Sequence, residues 1–453
     1  MEPVPKVSCL IAAYNVERWI ERSIESALAQ DWPADRLEVI VINDGSTDGT
    51  EAAIAPYRDR IRYIEKENGG LVSATNAGLA IATGDLICFL DGDDTWPVDR
   101  LRRQVPVLQS RPELGLLHGD MTIVDEEGAV LHPSFFAHKQ MAPPRGRVLG
   151  NLMHGNFVSA GGILVRAALR DRFYPISEAC PYQDWYIASR VAEVAEIDHV
   201  DFSVYHYRFH GGNESLGATG DAFVAAIRRD VPWLLWMQRN LDTSRVPVEE
   251  LVKAHQILLA NAHGVASHTG VAIADLMPRV GDAEHALAAT ESAHAAEALA
   301  GGRVEEAIRA WLRALAANPF DDLGRASLAR ALDQYARIPR IDARSFRILA
   351  FADELLDAPE MLAAYGETFG EGDDVTLVIQ APEQGVEQVT EGLAAASAGA
   401  SADLLLHPCD DPAVLLAAGL GAVYTRRSSS APFDSVPHVA EQELAAVRAL
   451  AVR

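Results

Sequence analysis

An apolar run, Leu86-Ile87-Cys88-Phe89-Leu90, stops abruptly at Asp91-Gly92-Asp93-Asp94. A strand this hydrophobic is buried, and in α/β sheets its carboxyl end opens onto a crevice. Three like charges at that point repel and call for a counter-charge. A divalent cation with oxygen ligands supplies one, usually shared with substrate phosphates. The cluster therefore suggests a metal–diphosphate site.

Other residues suited to chemistry stand where neighbouring elements end. Tyr14 closes an apolar run over 7–14, where an aromatic ring can stack on a nucleobase. Asp44 follows a second run, 37–42, beside Gly45-Ser46. A carboxylate there can accept from a base N–H or a ribose hydroxyl, whereas turn formation and capping account for Ser46 and Asp48. Gly69 and Gly70 precede a helix and permit close backbone approach to a ligand, and the helix amino end favours phosphate. Asp184 opens a predicted helix, where its charge also suits the macrodipole.

These positions need a scaffold. Strands over 7–14, 37–42, 61–64 and 85–90 alternate with helices after Asn15 (an expected cap), from about Asp48, and from Leu71 to Ala82. That order predicts a doubly wound, mostly parallel α/β sheet. Beyond Pro97 come a charged helix to about Gln109, a strand over 114–118, a Pro/Gly-rich segment 133–147 expected to be a mobile loop, a helix over 182–193 and a strand over 199–208. A polar turn runs from His210 through Ser215. The first domain is expected to span 1–225. Residues 226–350 read as a helical region, in which Gly302, Ala307, Trp311, Ala314 and Pro319 fit a tetratricopeptide helix pair, a potential protein-binding or self-association surface. Residues 351–453 read as a small α/β unit, with buried strands over 375–379 and 404–406, helices near 383–397 and 411–418, and a loop at Arg426–Ser430.

The net charge of −25 disfavours nucleic acid and anionic membranes as partners. A nucleotide ligand stays compatible, because one metal ion reverses the local field. The four cysteines are far apart, without metal-ligand spacing, and Cys9 and Cys88, in predicted buried strands, are expected to be reduced buried thiols. No signal-peptide layout and no membrane-length apolar stretch occur, so a cytoplasmic chain is expected, peripheral to a membrane only through partners.

Six segments in order resemble the family 2 glycosyltransferases of GT-A fold across roughly the first half of the chain. They are Ala13-Tyr14-Asn15; Asn43-Asp44-Gly45-Ser46-Thr47-Asp48; Asn68-Gly69-Gly70 with Ala74-Thr75-Asn76-Ala77-Gly78; Asp91-Gly92-Asp93-Asp94; Gln183-Asp184; and Tyr207-Arg208 to His210. The resemblance implies nucleotide-sugar binding by Ala13, Tyr14, Asp44, Asn68, Gly69, Gly70, Asn76, Asp91 and Gly92, with Tyr14 and Asp44 on uracil. It implies Mn²⁺ or Mg²⁺ held by Asp93, with Asp91 and His210, and Asp94 in either aspartate's role. Asp184 is implied as general base, and His154, Asn156 and Ser159 lie where the family forms its acceptor wall. Two positions depart from the family pattern, Thr75 where arginine is common and Gln183 where glutamate is common. Lys66 and Arg100 are nearby candidates to replace the missing cation.

The resulting expectation is an inverting, metal-dependent transferase moving sugar from a nucleotide donor, a UDP-sugar, to a saccharide or glycoconjugate acceptor in surface polysaccharide or glycoconjugate synthesis. A degenerate domain serving as a protein scaffold is the alternative. Nucleotidyl transfer is a third, disfavoured because Ala12-Ala13-Tyr14-Asn15 is no basic glycine-rich phosphate loop.

Overall fold

The computed structural model describes residues 4–177, 180, 182–210, 221–269, 271–277, 280–336, 346–369 and 375–381, with short stretches between 389 and 444. The chain divides into two compact units, Met1–Ala288 with Ala316–Pro319, and Ala289–Leu315 with Phe320–Arg453.

Strands and helices alternate at first: β1 (Val7–Ala13), α1 (Ile20–Leu28), β2 (Leu37–Asn43), α2 (Thr50–Ile54), β3 (Arg62–Glu65), α3 (Gly70–Ile81), β4 (Leu86–Asp91) and α4 (Arg100–Gln109). Then follow β5 (Leu114–Val124), β6 (Val130–His132), α5 (Phe135–His138), α6 (Leu149–Leu152), β7 (Leu164–Arg166), α7 (Arg170–Phe173), α8 (Gln183–Ala192) and β8 (Glu196–Arg208). The sheet order is β3-β2-β1-β4-β7-β5-β6, with β8 also paired to β5. β1 to β4 pair in parallel, and β7 runs antiparallel to both β4 and β5.

Every residue of β1, β2 and β4 is buried except Ala12, Leu37 and Asp91, because helices cover both faces. Odd-numbered β1 residues (Val7, Cys9, Ile11) pack in one core with Ile20 and Ile24 of α1. On the other face Gly78 of α3 lies so close that a Cβ would sit 2.8 Å from Leu10 and 2.9 Å from Ile42. Register aligns the strand ends, with Ala13 opposite Asn43 and Ala12 opposite Asp91. Tyr14, Asp44 and the β4 carboxylates therefore emerge side by side. A one-residue slip would turn each side chain to the other face.

Two expectations change here. Asn15 does not cap α1, which starts at Ile20 without a side-chain cap. It takes a left-handed φ of +52° and its Oδ1 accepts from Thr47 N at 2.8 Å, bracing the loop after β2. The segment 133–147 is tied down rather than free. Asp120 accepts from the Phe135 and Phe136 backbone N–H groups at 3.0 Å, Gly146 exchanges both backbone bonds with Ile197, and Arg145 reaches Asp198 at 2.7 Å.

The helices α9 (Asp221–Asn240), α10 (Val248–Thr269) and α11 (Ile273–Leu276) come next. Trp233 of α9 lies 6.4 Å from Trp185 and 5.7 Å from Tyr186 of α8, so the first compact unit extends well beyond 225. After α12 (Asp282–Ala300) and α13 (Val304–Ala317), the repeat-like residues Ala307, Trp311 and Ala314 are buried, with Gly302 at φ +76° before them. α14 (Asp322–Ala336) precedes a five-stranded parallel sheet, ordered β11-β10-β9-β12-β13. Its strands are β9 (Phe346–Phe351), β10 (Val375–Ala381), β11 (Asp403–Pro408), β12 (Ala422–Tyr424) and β13 (His438–Val439). β9 starts inside the stretch read as helical, since its short apolar run does not distinguish strand from helix by period. Two helices, α15 (Ala352–Asp357) and α16 (Pro359–Thr368), pack on this sheet through Leu355, Leu362 and Tyr365. The expected helix at 411–418, the loop 426–430, Cys409 and the turn residues 211–215 lie outside the described residues.

Candidate active site

The turn after β4 is shaped by a close approach. A Cβ on Gly92 would lie 3.0 Å from the Ala12 carbonyl and from Val16, so only glycine fits without displacement. Asp94 is buried; its Oδ1 accepts from Arg208 N at 2.8 Å, and its Oδ2 has no hydrogen-bond partner among the described residues. A bridge between Thr95 and His206 fixes the end of β8 against this turn. β8 then delivers His210, whose Nε2 lies 2.9 Å from Asp93 Oδ2 across a sequence separation of 117. Trp19 stacks on the His210 ring at 4.6 Å. Nothing in the sequence pairs Trp19 with His210.

This donor set fits a hard or borderline divalent cation, with carboxylate and imidazole oxygen and nitrogen ligands. Among the described residues no three His, Cys, Asp or Glu side chains are already gathered as a ligand cluster. A cation held by Asp93 and His210 would need oxygens from a bound diphosphate to complete its shell. Burial, with the charges of Asp93 and Asp184, pushes the Asp91 carboxyl up to about 7. Burial and its two neighbours likewise raise Asp94 well above the usual aspartate range.

Asp44 is tied to the loop before α3. Its carboxylate accepts from Lys66 Nζ at 2.6 Å, Gly70 N at 2.8 Å and Gly69 N at 3.2 Å. Both oxygens thus serve the loop before α3, where Gly45 at φ +72° lies so close that a Cβ would sit 2.6 Å from Asn68 N. Asp44 N in turn donates to the Ala13 carbonyl at 2.9 Å. Tyr14 stays 49% exposed at the mouth, free to stack. The Asn76 side chain exchanges two hydrogen bonds with the Ile176 backbone, at 2.8 and 2.9 Å.

Neither expected cation is free for a diphosphate. Lys66 is held by Asp44. Arg100 is buried under Trp96 and donates to the carbonyls of Gly161 (2.7 Å) and Ile163 (2.9 Å), while Gln104 takes Gly162 (3.1 Å). This arginine is a brace for the segment leading to Asp184's partners. Arg100→Ala is expected to cost about 3 kcal/mol or more, since two buried carbonyls lose their donors; a denaturation midpoint matching the unaltered chain would remove the brace.

Asp184 heads α8. Burial pushes its carboxyl up to about 6, although hydrogen bonds from Trp185 N, Ala160 N and the Asn156 side chain oppose the rise. The two departures from the family pattern meet here: the Thr75 hydroxyl and the Gln183 amide are hydrogen-bonded to each other, both buried. The Thr75 hydroxyl donates to Gln183 Oε1, and the Leu71 carbonyl lies 2.9 Å from the same hydroxyl. Of the acceptor-wall residues, Asn156 lies at Asp184 and Ser159 bonds the buried Tyr205 hydroxyl. His154 faces α10 instead, 3.2 Å from the Glu250 carbonyl.

A family model described as Glycosyl transferase family 2 matches residues 8–166. An uncharacterized glycosyltransferase of Nostoc sp. is 30% identical over 222 residues, covering 47% of this chain and 67% of that protein. The succinoglycan biosynthesis protein ExoO of Rhizobium meliloti is 45% identical over 107 residues, 23% of this chain. The chain spans 30% of ExoO's length. Among solved structures, S. aureus TarS 1-349 in complex with UDP-GlcNAc aligns over 73% of this chain and 92% of that one, at 20% identity and a TM-score of 0.42. No helix among the described residues is long and apolar enough to cross a membrane.

Proposed function

We propose that this chain, which belongs to glycosyl transferase family 2, moves a sugar from a UDP-sugar to an acceptor hydroxyl in one inverting, metal-assisted step. The observation that carries the reading is the convergence of Asp91, Asp93 and Asp184, from the end of β4 and the start of α8, with His210 beside Asp93.

Asp184 takes the proton from the acceptor hydroxyl. The freed electron pair forms the new bond to the anomeric carbon as the bond to the diphosphate oxygen breaks and the nucleoside diphosphate departs. A base near 6 is ionised at neutral pH yet basic enough to help, the compromise general-base catalysis requires. Asn156 and the Ala160 N–H hold that carboxylate in place. Asp93 and His210 would hold Mn²⁺ or Mg²⁺, which as a Lewis acid stabilises a departing diphosphate. Tyr14 offers its exposed ring to the base, and the Asp44-tied turn at Gly69 and Gly70 shapes the ledge beside it. ExoO's name supports a role in surface polysaccharide synthesis, which fits a cytoplasmic enzyme reaching membrane-linked acceptors through partners.

Calorimetric titration with UDP, with and without Mn²⁺, tests the reading, with GDP as control. Binding that requires both UDP and metal is the expected outcome. Metal-independent binding, or none, would overturn it.

A further inference from the structure

We infer that Trp19 is a positioning residue of the metal site: stacked on His210, it sets the plane of the imidazole and raises the affinity for the divalent cation. The inference rests on the function proposed above, through the assignment of His210 to the metal. His210 lies two residues past the end of β8. Its contact with Asp93 Oδ2 at 2.9 Å fixes one point of the ring, Nε2. A contact at one ring atom does not by itself set the ring plane. The indole of Trp19 supplies that constraint, with centroids 4.6 Å apart and planes 22° from parallel.

Trp19 is itself held. Its backbone N–H donates to the Val16 carbonyl at 2.9 Å and its carbonyl accepts from Ser23 N at 3.2 Å, which fixes it at the head of α1. The residues before it are fastened to the segment after β2: Val16 N donates to Thr50 Oγ1 at 2.8 Å, and Gly49 N donates to Glu17 Oε2 at 2.6 Å. The indole N–H is buried and has no hydrogen-bond partner among the described residues. Ring-face contacts therefore orient the indole, with His210 and with the Arg18 guanidinium, 5.3 Å from its centroid.

The stack favours the metal-bound state. A metal-bound imidazole shares the cation's positive charge, and the indole face attracts a positive charge more strongly than any other side-chain ring. A contact that is stronger with the metal than without it raises metal affinity by that difference. The two arginines beside the stack are already engaged. Arg18 is paired with Glu126 and, at 3.1 Å, with Glu127. Arg208 donates to the Asp93, Asp125 and Glu126 carbonyls.

The test is a calorimetric titration of Mn²⁺ into the full chain at saturating UDP. Trp19→Leu is expected to weaken the metal about fivefold and Trp19→Phe about twofold at most, because leucine fills space without a π face and a phenyl ring keeps one. In a His210→Ala background Trp19→Leu is expected to weaken it no further, since the effect passes through the imidazole. Trp19→Met serves the same comparison if the leucine variant does not fold. Unchanged metal affinity in Trp19→Leu overturns the inference while leaving the proposed function standing. Equal losses in Trp19→Leu and Trp19→Phe, or a loss that persists without His210, also overturn it, because the indole would then act on the fold alone. Absence of metal-dependent UDP binding in the unaltered chain removes both.

Discussion

Asp184→Asn is expected to bind UDP and Mn²⁺ as the unaltered chain does and to transfer sugar roughly 10³-fold more slowly, the usual contribution of a positioned general base. Asparagine keeps the acceptor oxygen for Trp185 N, which donates to Asp184 Oδ1 at 2.7 Å, but it takes up no proton. The pH dependence supplies a second measurement. With its carboxyl near 6 in the free protein, the acidic limb of kcat/KM should bend near pH 6 and fall tenfold per unit below it. The stability linkage runs the other way. The folded value lies above the ordinary 3.8, so the native state holds a proton that the unfolded chain has lost. Asp184 therefore favours folding below about pH 4 and loses that contribution as pH rises through about 6. Asp184→Asn should flatten this slope and leave the fold at pH 7 at least as stable, which separates lost chemistry from lost structure. Turnover within a few-fold of the unaltered chain would sink the base assignment.

Asp93→Ala is expected to abolish the Mn²⁺ dependence of UDP binding, with metal-supported affinity falling by roughly 100-fold or more; even residues that only orient metal ligands cost about 10–100-fold. His210→Ala should do less, about tenfold, because a bound diphosphate and Asp93 remain. The apo fold should tolerate Asp93→Ala, since one source of repulsion at Asp91 is removed. An Mn²⁺ titration of UDP binding measures both variants. An unchanged metal requirement in Asp93→Ala would take that residue out of the metal site, and an unchanged titration in His210→Ala would take the imidazole out of it too.

Much of the first sheet was legible because its signals are local. Continuous apolar runs ending at Tyr14, Asp44 and Asp91 mark buried parallel strands, and their carboxyl ends must share one edge of the sheet. The helix boundaries of α3 and α8 came within about a residue; Gly69 and Gly70 mark the start of α3, and α8 carries an amphipathic face. The positions whose partners the sequence did not reveal share a different property. Asn15 and Asn76 carry short amides whose partners, Thr47 and the Ile176 backbone, are 32 and 100 residues away. Arg100 looked available because it is charged, yet three consecutive carbonyls at 161–163 had to be satisfied in the core, and Arg100 and Gln104 reach them.

The sequence by itself determined the family, the parallel frame and the order of carboxylates along it, since residue type and spacing carry those. Only the tertiary structure decided which groups meet: Asp93 with His210, Asp44 with its own loop, Thr75 with Gln183. Each of these contacts joins residues 22 to 117 positions apart. Such pairings depend on strand register and on how far each helix advances its side chains over the sheet, and a side chain's hydrogen bond is chosen by what burial leaves within about 3 Å of it.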